Sequence, residues 1–201
     1  MKALIIGGGG FVGSYLARQL VQGCHWDTTV TKLPQEDVSV EGCEAYNLDI
    51  LDQDAVEALL VRLRPDVIFH LAAQSSVAFS WKNPQKTVEI NLCGSLNVLD
   101  AVRAIEGYAP RILLIGSGEE YGMLPPETEL VGEDTPVHPG NPYAVTKAAQ
   151  NWFGSLYARA YGMEIVMIRA FNHVGPNQSP SSWCPTSANR RRRFRWDCGN
   201  R

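Results

Sequence analysis

The apolar residues of this chain fall into short continuous runs and into longer stretches with helical spacing, and the two kinds alternate. The runs predict buried strands, and the helical stretches predict amphipathic helices that pack against them. Strands are predicted at residues 2–6, 28–31, 44–48, 67–71, 111–115 and 164–168. Helices are predicted at residues 11–21, 52–64, 87–105 and 143–161. This alternation indicates a parallel sheet with right-handed crossovers, so the predicted fold is α/β with a doubly wound sheet.

The second predicted helix carries signals at both of its ends. Asp52 can cap its first turn, because a carboxylate at this position accepts a hydrogen bond from a free backbone N–H. Pro65 follows directly after the helical pattern and is expected to end it.

Length and composition fit one α/β domain. The chain has 201 residues, of which 45% are hydrophobic and 19% are charged. It contains no run near the roughly 18 apolar residues that a membrane span requires, and residues 1–6 show no signal-peptide pattern. A cytoplasmic protein without a membrane partner is therefore expected. The five cysteines are odd in number and lack a CxxC pair, so free thiols are expected rather than disulfides or a metal site.

Charge is distributed unevenly along the chain. The formal net charge is −3, but six of the 18 basic residues lie between Arg190 and Arg201, together with one acid, Asp197. Residues 1–178 therefore carry 12 basic and 20 acidic side chains, a net charge of about −8. An acidic body of this kind argues against a nucleic-acid partner, although the arginine run by itself could form a basic patch.

The first motif with chemical meaning is Gly7-x-x-Gly10-x-x-Gly13, between the first predicted strand and the first predicted helix. Without side chains, the backbone at these positions can approach a pyrophosphate. The helix N-terminus adds N–H donors and the positive end of its dipole. The motif predicts a dinucleotide site, and the alternative is a glycine-rich turn that binds no ligand.

The second motif is Tyr143-x-x-x-Lys147, at the start of the last predicted helix. Residues four apart share one face of a helix. An ammonium close to a phenol stabilises the phenolate and brings the pKa of the tyrosine toward working pH, which makes it an acid–base catalyst. Alone, the pair is a weak signal, and the alternative is a surface helix that carries a half-buried tyrosine. After a glycine motif, it favours a catalytic site.

The third motif follows the fifth predicted strand, where ligands of doubly wound sheets bind. Ser117 lies there, and its hydroxyl can hydrogen-bond the oxygen of a reacting carbonyl. Glu119 is a candidate for a second proton-transfer group, with a solvated loop carboxylate as the alternative. Glu120 is expected to be a solvated loop carboxylate.

Several segments together carry a family resemblance. They are His70-Leu71-Ala72-Ala73-Gln74-Ser75-Ser76-Val77, Asn91-x-x-Gly94-Ser95, Ser117–Gly122, Tyr143-x-x-x-Lys147 and Arg169-Ala170-Phe171-Asn172-His173-Val174-Gly175-Pro176. With these segments, residues 1–178 resemble the extended short-chain dehydrogenase/reductases, in their nucleotide-sugar epimerase/dehydratase branch. The run from His70 to Pro84 is most similar to GDP-4-keto-6-deoxy-mannose reductases and then to GDP-mannose 4,6-dehydratases.

The resemblance implies a Rossmann domain at residues 1–178 that binds NAD or NADP and holds the catalytic residues Ser117, Tyr143, Lys147 and Glu119. Cofactor contacts are implied for Gly7, Gly10, Phe11, Val12, Gly13, Asp49, Ile50, Leu71, Ala72, Ala73, Tyr143 and Lys147. Substrate contacts are implied for Ser75, Ser117 and Asn172. No metal is implied. Relatives commonly form homodimers through the helices at 87–105 and 143–161, although core packing alone also produces an extra apolar stripe.

The cofactor preference is expected to depend on the end of the second strand. Relatives that prefer NAD usually carry an acid there, which bonds the ribose 2′-hydroxyl. This chain has Thr31-Lys32 instead, and a basic residue suits a 2′-phosphate. NADP is therefore the preferred expectation, with an exposed, uninvolved Lys32 as the alternative.

The resemblance implies that the enzyme reduces the C4 ketone of a GDP-4-keto-6-deoxyhexose. A 4,6-dehydratase or a 4-epimerase is the alternative, and in a dehydratase the glutamate at position 119 removes a proton during elimination. A non-catalytic dinucleotide-binding protein is a third interpretation, which the presence of Ser117, Tyr143 and Lys147 weakens.

Residues 179–201 show neither a helical nor a strand pattern. One permitted back-translation, with a single C inserted after its second codon, reads SPLFVVPDFCKQAAEIQVGLREP, which resembles the continuation of the family. The tail is therefore expected to be frameshifted, and its arginines an accident of reading frame. On this expectation the substrate-binding C-terminal lobe is missing, and the chain as given has little stability and little activity.

Overall fold

The computed structural model describes residues 1–36, 41–125, 127, 128, 130–176 and 178. Its strands are β1 (Lys2–Ile6), β2 (Asp27–Lys32), β3 (Cys43–Asn47), β4 (Val67–His70), β5 (Arg111–Ile115) and β6 (Ile165–Ile168). Its α-helices are α1 (Phe11–Arg18), α2 (Gln53–Leu63), α3 (Val77–Lys82), α4 (Pro84–Val88), α5 (Gly94–Ala104) and α6 (Pro142–Tyr161). All six predicted strands and all four predicted helices are confirmed, with small shifts at their ends.

The strands form one parallel sheet in the order β3-β2-β1-β4-β5-β6. The chain proceeds outward from β1 to β3 and then returns to pair β4 on the other side of β1. This reversal of direction leaves a crevice at the carboxyl ends of β1 and β4, which is where doubly wound sheets bind their ligands. The predicted Rossmann architecture is confirmed.

The strand β1 has apolar residues on both faces because the sheet is covered on both sides. Leu4 and Ile6 point into a cluster formed with residues of α2 and α5, whereas Ala3 and Ile5 point into a second cluster that includes Ala17 of α1. All four strand residues are almost fully buried. This double burial explains why the strand is a continuous apolar run rather than an alternating one.

Local signals set the ends of α2 as expected. The Asp52 carboxylate accepts a hydrogen bond from the backbone N–H of Ala55 at 3.0 Å. The helix ends at Leu63, and Arg64, directly before Pro65, takes a left-handed conformation with φ of 41°.

The helical stretch predicted at 87–105 is built of three consecutive segments. The helix α4 leads into a π-helical turn, Glu89–Cys93, which continues as α5. The helix α3 was not predicted. It is six residues long, and Ser76 caps it by accepting a hydrogen bond from the Phe79 N–H at 3.2 Å. Its polar and apolar residues are too few to establish a period.

The chain divides into two compact units, Met1–Phe171 and Asn172–Arg201. The first unit contains the whole sheet. In the second, the described residues 172–176 and 178 form no helix or strand, and the Gln178 side chain donates a hydrogen bond to the His173 carbonyl at 3.2 Å. The predicted frameshift at 179–201 lies outside the described residues. Along the described part of the chain, no helix is both long and apolar enough to cross a bilayer.

Candidate active site

The glycine motif forms a tight loop between β1 and α1. Gly7 has a φ of 84°, and a Cβ atom placed on it would lie 2.5 Å from the backbone nitrogen of Ala72. A Cβ on Gly13 would lie 2.6 Å from the Cα of Gly8. Side chains are excluded at both positions. The helix α1 begins with Gly10 as its N-cap, so no side chain covers its first N–H groups.

An anionic ligand can approach this loop, because its glycines carry no side chains and no side chain caps the first N–H groups of α1. The predicted pyrophosphate contacts of Gly7, Gly10 and Gly13 fit this geometry, and Phe11 and Val12 form the first turn of α1 beside them. Phe11 also packs edge-to-face on Tyr15, at 5.3 Å between ring centroids.

The end of β2 lies beside the glycine loop. The Thr31 hydroxyl accepts a hydrogen bond from the Gly7 N–H at 3.1 Å. The Lys32 ammonium donates to the Glu36 carbonyl at 2.6 Å, and the Glu36 carboxylate accepts from the Leu33 N–H at 2.9 Å. A Cβ on Gly9 would collide with that carboxylate. The structure thus brings both a cation and a carboxylate to the loop, whereas the sequence pattern pointed only to the cation.

The segment after β4 forms the opposite wall of the crevice. The backbone N–H groups of Leu71 and Ala72 donate to the carbonyl of Ile6, at 2.9 and 2.8 Å. These bonds hold residues 71–73 close to the glycine loop. That position is the one required by the cofactor contacts predicted for these three residues. Ser75 is exposed in the following loop, and its predicted contact with substrate stays a prediction.

The π-helical turn between α4 and α5 positions this wall. Its Asn91 is fully buried and accepts a hydrogen bond from the Gln74 N–H at 2.8 Å. The same side chain donates to the Gln74 carbonyl and to the Thr146 hydroxyl, both at 3.0 Å. Asn91 therefore ties the β4 loop to α6. π-Helical turns are frequent at functional sites.

The predicted adenine contacts lie at the end of β3. The Asp49 carboxylate accepts a hydrogen bond from the Leu51 N–H at 3.0 Å. Ile50 is buried in the core against Gly94, so it has only backbone to offer a ligand. Asn172 belongs to the second unit of the chain, and its predicted contact with the sugar nucleotide stays a prediction.

The helix α6 presents both members of the Tyr-Lys pair. It starts at Pro142, and the Asn141 side chain caps it by accepting a hydrogen bond from the Ala144 N–H at 2.9 Å. Tyr143 and Lys147 follow in its first two turns. The Lys147 ammonium is buried and donates to the carbonyl of Ile115 at the end of β5, at 2.8 Å.

A buried polar chain continues from Lys147 to β4. The ammonium also donates to the Gln150 side-chain oxygen at 3.1 Å. The Ser95 hydroxyl lies 3.4 Å from that oxygen and 2.8 Å from Nε2 of the fully buried His70. His70, Ser95 and Gln150 were not predicted as site residues. They lie far apart in the sequence, and only the fold brings them together.

Ser117 is nearly buried at the end of β5, where it precedes a 3₁₀ helix, Gly118–Tyr121. Its side chain accepts a hydrogen bond from the Glu119 N–H at 3.2 Å, and it is near enough to Tyr143 to lower the pKa of that phenol. The structure therefore brings together Ser117, Tyr143 and Lys147, and their catalytic roles stay predictions.

The pKa values of Tyr143 and Lys147 differ in one respect from what their spacing predicts. Burial lowers the pKa of Lys147 to about 8, and the negative charge of Glu120 opposes this shift. Burial raises the pKa of Tyr143, Glu120 and Glu119 raise it further, and the hydrogen bond with Ser117 lowers it. Ser117 is therefore the residue that stabilises the phenolate of Tyr143. The four-residue spacing of Tyr143 and Lys147 predicts that Lys147 has this effect.

The two glutamates after Ser117 have opposite environments. Glu119 is exposed, as the solvated-carboxylate alternative requires, and its carboxylate accepts a hydrogen bond from the Asn141 side chain at 3.0 Å. This places it close to the N-terminus of α6 and to Tyr143. The expectation that Glu120 is a solvated loop carboxylate is wrong, because its side chain is fully buried and ion-paired with Arg169 at 3.2 Å.

Comparison with known proteins supports this arrangement. The family model for GDP-mannose 4,6 dehydratase matches residues 4–189. GDP-6-deoxy-D-mannose reductase from Pseudomonas aeruginosa is 32% identical over 180 residues, which are 90% of this chain and 55% of that protein. The chain therefore spans about half the length of this relative.

Solved structures give the same result. UDP-glucose 4-epimerase from Thermus thermophilus, in complex with NAD, superposes with a TM-score of 0.85 at 33% identity, over 94% of this chain and 61% of that one. RMD from Pseudomonas aeruginosa, complexed with NADPH, gives a TM-score of 0.77 at 31% identity, over 94% and 61%. Because the family model covers nearly the whole chain, and the glycine loop, Ser117 and Lys147 lie at the same carboxyl edge of the sheet, the chain belongs to the GDP-mannose 4,6-dehydratase family.

Proposed function

We propose that the protein reduces the C4 ketone of a GDP-4-keto-6-deoxyhexose to a hydroxyl group, with NADPH as reductant. The observation that carries this proposal is the placement of Ser117 and of the Tyr143–Lys147 pair at the carboxyl edge of the sheet, where buried Lys147 donates to the Ile115 carbonyl at the end of β5. Together with the glycine loop, this arrangement suits proton transfer to a carbonyl oxygen beside a dinucleotide.

Each side chain has a defined role in this reaction. A bound nicotinamide cofactor would supply the hydride. Tyr143 donates a proton to the C4 oxygen as negative charge develops on it, and Ser117 stabilises that oxygen by a hydrogen bond. Lys147, with a pKa of about 8, is mostly protonated at pH 7 and can donate to the hydroxyls of the nicotinamide ribose.

The residues of the crevice fit such a cofactor. The amides of α1 and the side-chain-free surface at Gly7, Gly10 and Gly13 would hold the pyrophosphate. Lys32, at the end of β2, is the basis for preferring NADPH, since a cation suits a 2′-phosphate. The similarity to a GDP-6-deoxy-D-mannose reductase supports the choice of a GDP-sugar and of reduction. A cytoplasmic location is part of the same proposal.

A second candidate function has its own observation. The exposed Glu119 is near enough to Tyr143 for its charge to act on the phenol, and a carboxylate there can remove a proton from the sugar, as a 4,6-dehydratase requires. In that reaction, or in a 4-epimerisation, the cofactor is reduced and reoxidised within one cycle and no external NADPH is consumed.

Consumption of NADPH separates these functions. The purified chain, and in parallel the product of the frame-restored gene, is mixed with NADPH and a GDP-4-keto-6-deoxyhexose, and the loss of NADPH absorbance is followed. Equimolar loss of NADPH and formation of a GDP-6-deoxyhexose support the reductase. Turnover of GDP-mannose without any loss of NADPH would refute it in favour of the dehydratase.

Tyr143→Phe tests whether the site is catalytic at all. The variant lacks the proton donor but keeps the ring, so we expect turnover to fall by at least about a hundredfold while NADPH binding, measured by fluorescence, is unchanged. Unchanged turnover would contradict the assignment of Tyr143. Binding of the dinucleotide without turnover of any nucleotide sugar in the unmodified protein would favour a non-catalytic role.

A further inference from the structure

The buried carboxylate of Glu120 is surrounded by hydrogen-bond donors from three parts of the fold. One oxygen accepts from the Ser117 N–H at 2.7 Å, and the other accepts from Nε of Arg169 at 3.2 Å. The Asn151 side chain donates to both oxygens at 2.9 Å. The donors thus come from the end of β5, from α6 and from the residue after β6.

The arginine of this group is held in place from its other side. Its NH1 group donates to the Tyr121 hydroxyl at 3.1 Å and to the Glu133 carbonyl at 3.0 Å. The guanidinium also lies over the Tyr121 ring, 5.1 Å from the centroid. Arg169 is therefore a fixed partner for Glu120 rather than a mobile surface cation.

A buried carboxylate is an expensive way to fill this space. Glu120 is withdrawn from water while its partner Arg169 stays partly exposed, and an apolar residue of similar volume would avoid the cost of that desolvation. Packing alone does not explain this cost, whereas an effect of the carboxylate on its neighbours would. Those neighbours are the catalytic residues Ser117, Tyr143 and Lys147.

We propose that Glu120 is a positioning residue of the active site, which fixes the backbone of Ser117 and places a carboxylate charge beside Tyr143 and Lys147. It touches neither substrate nor cofactor. The inference deepens the proposed function and rests on it for the roles of the three catalytic residues. Glu120 acts through geometry on Ser117 and through charge on the other two.

The geometric part follows from the capping box. Ser117 precedes the 3₁₀ helix, its N–H donates to Glu120, and its side-chain oxygen accepts from the Glu119 N–H. These two bonds fix the backbone and the side chain of Ser117 at the angle from which it reaches Tyr143.

The electrostatic part has a definite sign. The charged and titratable groups that act on Tyr143 and Lys147 are Glu119, Glu120 and His70, and Glu120 acts on both. A nearby anion raises the pKa of a phenol and of an ammonium alike. Glu120 therefore keeps Tyr143 and Lys147 protonated at higher pH, and a reductase needs both in that form.

Three variants separate geometry from charge. Glu120→Gln has the same shape and an oxygen for Ser117 but no charge. Glu120→Asp keeps the charge on a shorter side chain. Glu133→Gln removes one negative charge from an exposed residue of the same region and serves as the matched control.

Two measurements are made on each variant. One is the pH dependence of kcat for ketone reduction. The other is the ionisation of Tyr143, followed as phenolate absorbance in the difference between each protein and its Tyr143→Phe counterpart, which needs no substrate.

For Glu120→Gln we expect two transitions to move to lower pH by roughly one unit: the fall of kcat at alkaline pH and the rise of the phenolate absorbance. For Glu120→Asp we expect both transitions to stay at the same pH while kcat falls about tenfold or more. Glu133→Gln should match the unmodified protein in both measurements. If the two transitions do not shift in Glu120→Gln, the electrostatic role is overturned. If Glu120→Asp keeps full kcat, the positioning role is overturned.

The two measurements also separate this inference from the proposed function. If the protein does not reduce the ketone but the tyrosine titration shifts in Glu120→Gln, the proposed reaction is wrong and the electrostatic role of Glu120 stands. If Glu120→Gln does not fold, the titration of Glu120→Asp decides that role. A phenolate transition that shifts in Glu120→Asp, although the negative charge is kept, would refute the electrostatic role.

Discussion

The two residues that we expect to set the cofactor preference carry opposite charges. Lys32 and Glu36 both lie beside the glycine loop, and they are joined because the lysine donates to the Glu36 carbonyl. The ammonium favours a 2′-phosphate by charge attraction. The carboxylate favours a 2′-hydroxyl, which can donate a hydrogen bond to it, and repels a phosphate.

This competition predicts opposite effects of two substitutions. Lys32→Ala should weaken NADPH binding about tenfold relative to NADH, because one charge-assisted contact with the phosphate is lost. Glu36→Gln should strengthen NADPH binding relative to NADH, because a repulsive charge is removed. Dissociation constants for both nucleotides are measured by fluorescence titration. Equal losses for NADH and NADPH in Lys32→Ala would show that Lys32 does not recognise the phosphate.

At the scale of elements, the end of β4 is joined to α5 by a buried histidine. Nε2 of His70 lies 2.8 Å from the Ser95 hydroxyl, whose hydrogen is donated to the Asn91 carbonyl at 2.6 Å. The histidine therefore donates from Nε2. Its Nδ1 has no hydrogen-bond partner within the described residues. Burial, with a smaller effect of Lys147, lowers the pKa of His70 to about 3.

The histidine should make the protein sensitive to mild acid. Well above pH 6.5 His70 is neutral in both the folded and unfolded states, so it adds no pH dependence there. Between about pH 6.5 and 3 only the unfolded state binds the proton, and the free energy of unfolding falls by up to about 1.4 kcal/mol per pH unit. From about pH 7.5 to about 5 this residue alone accounts for a loss of about 2 kcal/mol.

Urea unfolding at these two pH values tests the histidine effect. His70→Gln cannot titrate in this range and can still donate to Ser95. We expect its loss of stability from about pH 7.5 to about 5 to be about 2 kcal/mol smaller than that of the unmodified protein. An equal loss in the two proteins would mean that His70 is protonated, or accessible, in the folded state.

The elements that could be predicted from sequence are those with a long pattern or a local signal. The strand β1 is a continuous apolar run, and α6 has an Asn-Pro start and 20 residues of helical spacing. The helix α3 was missed because six residues give no period. Glu120 was misassigned because carboxylates are usually exposed, and its partners Asn151 and Arg169 lie 31 and 49 residues away.

At the scale of the whole molecule, α6 leaves an apolar stripe uncovered. Val145, Trp152 and Leu156 are spaced by seven and four residues and so share one face of the helix. Each has at least half of its surface exposed, 50%, 60% and 51%. The core side of the same helix is already packed against the sheet, so core packing does not account for this second stripe.

We therefore expect the protein to form a homodimer through this face, as the family resemblance implies for the helices at 87–105 and 143–161. Trp152→Glu places a charge at the centre of the stripe and should convert the dimer to a monomer in analytical ultracentrifugation. Val61→Glu is the matched control, because Val61 is also 51% exposed but lies on α2. It should leave the dimer intact. A monomeric unmodified protein, or a dimer that persists in Trp152→Glu, would exclude this interface, and an equal effect of Val61→Glu would indicate general destabilisation.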